Sequence, residues 1–142
     1  MSYDRILAPT DGSDPANRGV DRAVEMADRF DATVHALYVV DQANRAGDWD
    51  IVVERQESEG EAALDAAAER ADAAGVELER HLRRGTPADE ILEFVAAADI
   101  DVIVMGTHGR SGIDRIRHAG STTERVIRGA SIPVLAVPPG EG

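Results

Sequence analysis

Residues 101–112 read DVIVMGTHGRSG, an apolar run that passes directly into a segment with three glycines. The run at 101–105 predicts a buried strand, because successive apolar residues are typical of a parallel strand covered on both faces. The glycines would let backbone N–H groups approach a phosphate without interference from a Cβ atom. Gly120-Ser121-Thr122 then predicts a helix N-terminus, which favours an anion. A solvated loop before a Ser-capped helix would show the same spacing, so the pattern alone leaves both interpretations open.

Strands and helices are expected to alternate along the rest of the chain. Apolar runs predict strands at residues 3–9, 33–40, 76–84, 101–105 and 132–137. Apolar residues three and four apart, together with capping residues, predict helices from about residue 14, then at 51–74, 87–98 and 121–129. Five strands separated by helices predict a parallel sheet with right-handed crossovers. We therefore expect a doubly wound α/β fold, with residues 1–142 as one domain.

Several residues predict where these elements begin and end. Ser13 or Asp14 can cap the first helix, with Pro15 placed to start it. Gly75 is expected to end the second helix, and Thr86 to cap the third. The strand at 76–84 alternates apolar and charged residues, which indicates a more exposed strand at an edge of the sheet.

The composition excludes several classes of protein. The chain has no cysteine, so it can form no disulfide and no cysteine-based zinc or iron–sulfur site. All 15 of its basic residues are arginine. Walker-type phosphate loops, protein kinases and Schiff-base enzymes each need a lysine, so these three classes are excluded as well.

Charge is unevenly distributed along the chain. The net charge is −12, and it divides into −14 for residues 1–105 and +2 for residues 106–142. The overall acidity argues against non-specific binding of nucleic acid, which would be repelled. The local excess of arginine (Arg110, Arg115 and Arg117) suggests a small anionic ligand, although a basic solvated loop would look the same. An acidic surface without lysine is typical of proteins from the high-salt cytoplasm of a halophilic organism. GC-rich codon usage together with an ordinary acidic pI is the alternative explanation of this composition.

The sequence gives no sign of a membrane or secretory segment. No apolar run reaches the about 18 residues that a membrane span needs. The first residues, Met1-Ser2-Tyr3-Asp4-Arg5, lack the basic region and long apolar stretch of a signal peptide. A cytoplasmic protein is expected.

Asp11 and the histidines are the remaining candidates for chemistry. Asp11 ends the first predicted strand, and ligands of such sheets bind beyond the carboxyl ends of the strands. An aspartate after Pro-Thr is also a common turn residue. A phosphoacceptor aspartate would need a companion lysine, which the chain lacks. His35 and His81 fall within predicted strands and are expected to be packed or half-exposed. His108 and His118 lack the spacing of a helix-borne pair, so no metal site is predicted.

The glycine-rich segment resembles the universal stress protein family. The family motif is a glycine, two residues, a glycine, nine residues, and then Gly-Ser or Gly-Thr. Gly106-Thr107-His108-Gly109 matches its first part and Gly120-Ser121 its last. Residues 6–11 and 134–137 are similar to the family's first and last strands. The resemblance implies a Rossmann-like sheet of the adenine nucleotide alpha hydrolase type, with strand order 3-2-1-4-5.

The same resemblance implies a site for ATP, with or without Mg²⁺. Asp11 would bond the ribose or the adenine, with Pro9 and Thr10 shaping the wall and Val39 packing on the adenine. Met105, Gly106 and Gly109 would line the ribose and phosphates, and Gly120, Ser121 and Thr122 would hold the terminal phosphates. Thr107, His108 and Arg110 are further candidate contacts: a guanidinium pairs well with phosphate, whereas His108 fits a solvated loop equally well. Since family members dimerise through the last strand, a homodimer through residues 132–137 is expected. A strand edge covered by the tail at 138–142 is the alternative.

One departure from the family motif leaves three functions open. Ten residues, not nine, separate Gly109 from Gly120, and Arg117-His118-Ala119 stands where the family usually has an apolar run. The added residue can bulge at the loop tip, or it can displace Gly120-Ser121 and disrupt the phosphate site. An ATP-binding regulatory protein is the favoured interpretation. A dimerisation or docking module without nucleotide is the second, and a slow ATPase is the third.

Overall fold

Five parallel strands form the sheet of this protein, and four helices cover it within the described part of the chain. The structure is a computed structural model that describes residues 3–41, 49–107 and 121–138. The strands are β1 (Arg5–Pro9), β2 (Thr33–Asp41), β3 (Leu78–Gly85), β4 (Val102–Gly106) and β5 (Val134–Val137). The helices are α1 (Asp14–Phe30), α2 (Trp49–Ala74), α3 (Pro87–Ala97) and α4 (Ser121–Gly129).

The strand order is β3-β2-β1-β4-β5, which confirms the predicted fold class and strand order. The pairing of β1 with β2 runs from Arg5 opposite Thr33 to Pro9 opposite Leu37. On its other side β1 pairs with β4 only at Ile6 and Leu7. The predicted edge positions of β3 and β5 are confirmed, and the predicted element ends lie within two residues of those observed.

Alternation along the central strands divides the core into two layers. Ile6 and Ala8 of β1 face α1 and α2, whereas Leu7 faces α3 and α4. Since side chains of a strand point alternately to opposite faces, one apolar strand supplies both layers. The burial of β2 on both faces, expected from its apolar composition, is confirmed.

The ends of the helices follow local signals, with two corrections. Ser13 is the N-cap of α1, and its hydroxyl accepts a hydrogen bond from the N–H of Ala16 at 3.3 Å. The helix begins at Asp14, so Pro15 is its second residue rather than its first. Thr86 occupies the N-cap position of α3, yet its side chain makes no capping bond; its carbonyl accepts from the N–H of Glu90 instead. Gly75 ends α2 with a φ of +70°, as expected.

Helix α1 lies unusually close to β4 because of two glycines. A Cβ atom on Gly19 would come within 2.9 Å of the Gly106 nitrogen, a separation that real Cβ atoms do not tolerate. On Gly106, a Cβ would meet the backbone at Pro15. The first turns of α1 can therefore rest directly on the end of β4.

Candidate functional site

The strand order changes direction between β1 and β4, at the centre of the sheet. Chain segments after β1 build the side with β2 and β3, whereas β4 and β5 lie on the other side. The pairing between β1 and β4 ends at Leu7 and Ile103, although both strands continue beyond these residues. Ligands of open α/β sheets bind in the crevice at such a point, beyond the carboxyl ends of the strands.

The loop after β1 forms one side of this crevice and is held by its own hydrogen bonds. The buried Thr10 donates its N–H to the carbonyl of Leu37, which ties the loop to β2 at 2.9 Å. The N–H of Ser13 donates to Oδ1 of Asp11 at 2.9 Å. Asp11 thus makes the turn contact that was the alternative to a ligand role, and this bond also fixes its carboxylate, half-buried, at the end of β1.

The end of β4 forms the other side. Met105 and Gly106 are buried, and the carbonyl of Gly106 accepts a hydrogen bond from the buried Thr123 hydroxyl of α4 at 2.8 Å. Thr107 donates its N–H to the carbonyl of Val137 at 3.0 Å. Hydrogen bonds with α4 and with β5 therefore hold the backbone in place at residues 105–107.

Two polar side-chain atoms near this crevice are buried without a partner among the described residues. They are Oγ1 of Thr107 and Oδ1 of Asn17, in the first turn of α1. Most buried polar atoms in folded proteins form at least one hydrogen bond, so each exception calls for an explanation. Thr107 directly follows β4, where the sequence places a ligand contact, and a ligand oxygen would complete its bonding.

The carboxyl end of β2 supplies a third wall. Val39 is half-buried there and packs against the core layer on the α3 side. Two residues later, the N–H and carbonyl of Asp41 bond to the side-chain amide of Gln56 on α2, at 2.9 and 3.3 Å. The end of β2 is thus held in place by α2.

The structure brings together only part of the site predicted from sequence. Pro9, Thr10, Asp11, Val39 and Met105–Thr107 lie at the carboxyl ends of β1, β2 and β4. Ser121 begins α4, and Thr122 after it is half-buried. The other predicted contacts lie outside the described residues: His108, Gly109, Arg110 and Gly120.

A cluster that sequence reasoning did not assign to any site lies at the other end of β2. Nδ1 of His35 and Nε2 of His81 are hydrogen-bonded at 3.0 Å. A carboxylate oxygen of Glu79 lies with these two nitrogens, all three within 4.8 Å of one another. His35 is buried and His81 half-buried, as expected for histidines in strands. Burial is the main cause that lowers the pKa of both imidazoles, and this favours their neutral forms.

The β5 edge of the sheet exposes apolar side chains. Leu135 on β5 is 46% exposed, and so is Ile127 on α4. Large apolar side chains along an unpaired strand edge favour pairing with another chain. None of the helices among the described residues combines the length and the apolar character that crossing a membrane requires.

Comparison with known proteins gives a consistent result. Residues 2–138 match the universal stress protein family. A universal stress protein of Methanocaldococcus jannaschii is 41% identical over 140 residues, covering 95% of this chain and 82% of the relative. A universal stress protein solved in complex with cAMP superposes with a TM-score of 0.76 at 28% identity, covering 97% of this chain and 98% of the other. One from Archaeoglobus fulgidus in complex with dAMP gives 0.72 at 29% identity, covering 96% and 98%.

Proposed function

Since this chain belongs to the universal stress protein family, we propose that it is an ATP-binding regulatory protein of the stress response. The nucleotide would lie in the crevice between the loop after β1 and the glycine-rich segment after β4. ATP would act as a ligand that changes a conformation or a partner surface, with or without Mg²⁺. We also take the chain to form one domain and to act in the cytoplasm.

The observation that carries this proposal is the position of Asp11 and Thr107. They follow β1 and β4, the two strands between which the strand order reverses. One supplies a fixed carboxylate for a ribose hydroxyl or an adenine amine. The other supplies a buried hydroxyl that lacks a partner among the described residues. The pair fits a ligand with a sugar at one end and anionic oxygens at the other.

Two solved relatives support an adenine nucleotide as the ligand class. Their complexes contain cAMP and dAMP, each with one phosphate. In this chain the segment after Thr107 carries Arg110 and leads to Ser121 and Thr122 at the start of α4. An arginine and a helix N-terminus both favour further phosphates, and this supports ATP over a monophosphate.

Catalysis is not part of the proposal. Within the described part of the crevice, no histidine or lysine is placed to activate a water molecule. Any hydrolysis of bound ATP would be slow and incidental.

We further propose a homodimer through β5. Leu135 and Ile127, both 46% exposed, would be buried against the same residues of a second copy. A symmetric pair of edge strands would satisfy backbone groups of β5 that have no neighbouring strand among the described residues.

The main competing function is a dimerisation or docking module without nucleotide. The ten residues between Gly109 and Gly120 are the feature that favours it, because the added residue can displace Gly120 and Ser121. Deleting one residue from 117–119 should strengthen ATP binding if that displacement occurs. It should leave binding unchanged or weaken it if the longer loop already forms the phosphate site.

The first test is to purify the chain in high KCl, denature it and identify the released nucleotide by mass spectrometry. Stoichiometric ATP or ADP supports the proposal. A preparation without nucleotide that also fails to bind added Mg-ATP by calorimetry overturns it in favour of the docking module.

Variants then locate the site. Asp11→Ala should weaken ATP binding about tenfold or more, the size of one lost hydrogen bond to a charged group. Asp28→Ala removes the same charge from an exposed position at the far end of α1 and should leave binding unchanged. Equal effects of the two variants would place the nucleotide elsewhere.

A further inference from the structure

The two histidines of neighbouring strands lie side by side although 46 positions separate them in sequence. The parallel register places Glu79 opposite His35, and His81 two residues further along β3. Side chains two residues apart on a strand share a face, so all three lie on the α3 side of the sheet. Their rings and carboxylate form a small group of nitrogen and oxygen donors at the β3 edge.

We propose that His35, Glu79 and His81 bind a divalent transition metal ion of the zinc class. The nitrogen and carboxylate donors are those that Zn²⁺ prefers, and three protein ligands would leave the fourth position to water. The site would be separate from the nucleotide crevice. His35 and Val39 are four residues apart on β2, about 13 Å at the rise of an extended strand.

The separation of the two donor nitrogens is close to that which such an ion requires. Tetrahedral Zn²⁺ with bonds of 2.0–2.1 Å holds two nitrogens about 3.3 Å apart. Nδ1 of His35 and Nε2 of His81 are already 3.0 Å apart. The exposed Glu79 side chain can rotate its carboxylate, which lies within 4.8 Å of both nitrogens, toward the ion.

The surroundings give the site one closed and one open side. The ring of Phe94 on α3 lies 4.6 Å from that of His81 and 6.1 Å from that of His35, centroid to centroid. An apolar wall of this kind limits water around a metal and strengthens its bonds to the protein. On the open side, the exposed Glu79 gives an ion a path of entry from solvent.

Arg5 and Arg83, whose charges add to the effect of burial in lowering the pKa of His35 and His81 respectively, bond to groups outside the cluster. Arg5 bonds to the carbonyl of Ala98 and pairs with Asp99 at 3.7 Å. Arg83 lies over the ring of Phe94 and pairs with Glu90 at 3.9 Å. Neither arginine therefore forms an ion pair with the carboxylate of Glu79. The negative charge of this carboxylate favours a cation beside the imidazoles.

The chemistry of the imidazole pair is compatible with metal binding. In a neutral pair, one ring donates its N–H and the other accepts with its lone pair. On metal binding the donor ring moves that proton to its other nitrogen, so both facing nitrogens present lone pairs to the ion. The exchange requires no oxidant or other reactant.

The test uses the full chain, freed of metal with a chelator, and titrated with Zn²⁺ alone and with Co²⁺ alone. We expect one Zn²⁺ per chain, a higher midpoint of thermal unfolding, and the visible bands of tetrahedral Co²⁺. His81→Gln should weaken Zn²⁺ binding at least about 100-fold, above the range that loss of a supporting residue causes. Glu79→Gln should weaken it less and change the Co²⁺ spectrum.

Two controls distinguish this site from others on the acidic chain. Glu61→Gln removes the charge of an exposed glutamate on α2, and His108→Gln removes a histidine of the glycine-rich segment. Both should bind Zn²⁺ as the unsubstituted chain does.

The proposal is overturned if the chain binds no Zn²⁺, if His81→Gln and Glu79→Gln bind it unchanged, or if His108→Gln abolishes binding. Should His81→Gln fail to fold, the exposed Glu79→Gln decides between the outcomes. Nucleotide binding is measured separately, so failure of this site does not affect the proposed function.

Discussion

A Cβ atom at Gly106 would come within 2.4 Å of the Pro15 carbonyl oxygen. The first turn of α1 therefore rests on the backbone at the end of β4. Because the loop with Asp11 leads directly into α1, this contact also sets the distance between the two sides of the crevice.

Replacing that glycine should disturb both stability and the crevice. Gly106→Ala forces α1 away from β4, and we expect the free energy of unfolding to fall by about 2 kcal/mol, as for other overpacked sites. Nucleotide affinity should fall as well, because Asp11 moves with the helix. Urea denaturation and calorimetry with Mg-ATP measure the two effects.

Gly75→Ala is the matched control. Gly75 has a φ of +70°, but a Cβ there would meet no atom of the described residues within 4 Å. The variant should lose about 1–2 kcal/mol through its left-handed backbone alone. Its nucleotide affinity should not change, and an equal loss of affinity in both variants would contradict the steric explanation.

The unpartnered hydroxyl at position 107 gives a second prediction. Thr107→Val removes a buried Oγ1 that has no partner among the described residues, at almost constant volume. The ligand-free protein should become more stable, by about 1 kcal/mol, because this hydroxyl is then no longer buried without a bond. Nucleotide affinity should fall, since the hydroxyl is proposed to contact the ligand.

The same substitution at position 123 should act in the opposite direction on stability. The Thr123 hydroxyl donates to the Gly106 carbonyl at 2.8 Å. Thr123→Val leaves that carbonyl without this donor and should cost about 1–3 kcal/mol. Chemical denaturation of the two variants side by side checks the contrast, and two losses of stability would be inconsistent with an unbonded Thr107.

The raised pKa of Glu90 on α3 predicts that the stability of the protein depends on pH. Burial, followed by the nearby carboxylate of Glu93, raises the pKa of Glu90 above 4.5, against the opposing effect of Arg83. The folded state thus binds this proton more tightly than the unfolded state does. The resulting stabilisation is complete below pH 4.5 and is lost as the pH rises through the folded-state pKa.

Glu90→Gln should therefore unfold at a higher temperature than the unsubstituted chain near neutral pH, and the difference should vanish in acid. Thermal melts across this pH range measure it. Glu61→Gln, on the exposed face of α2, controls for the loss of one negative charge. A difference that stayed constant with pH would show that ionisation of Glu90 is not its cause.

The proposed dimer can be tested with two exposed leucines at opposite edges of the sheet. Leu135 lies on β5 and is 46% exposed, and Leu82 lies on β3 and is 37% exposed. Leu135→Arg should give a folded monomer by light scattering after size exclusion, because a charge cannot be buried in the interface. Leu82→Arg should remain a dimer. A dimer in both variants would exclude β5 as the interface.

The fold could be predicted because each element carries its own period in the sequence. The apolar residues of β2 are continuous, which predicted a strand buried on both faces. Apolar and charged residues alternate along β3, which predicted a strand at an edge of the sheet. The predicted capping bond from the Thr86 side chain was wrong, because its absence could not be predicted in the same way. The residue type favours an N-cap, but the bond depends on a rotamer that the sequence does not reveal.

The position of a candidate site residue was predictable only where it lies at the end of a strand. Asp11 and Gly106 could be placed at the carboxyl ends of β1 and β4 because glycines and turn residues mark the ends of strands. The pair of His35 and His81 was missed because it depends on the register between β2 and β3. One signal was present: each histidine lies within a predicted strand, and a parallel pairing of those strands can place the two on one face.

The position of β1 in the sheet has a consequence for synthesis of the chain. Ile6 pairs with Val102, so 96 positions (102 minus 6) separate the two neighbours. At about 5–20 residues per second, a ribosome needs about 5–20 s to supply β4 after β1 has been made. During that interval β1 can pair with β2 on one side, while its other edge has no partner from its own chain. A nascent chain at this stage offers that edge to chaperones, or to another nascent chain.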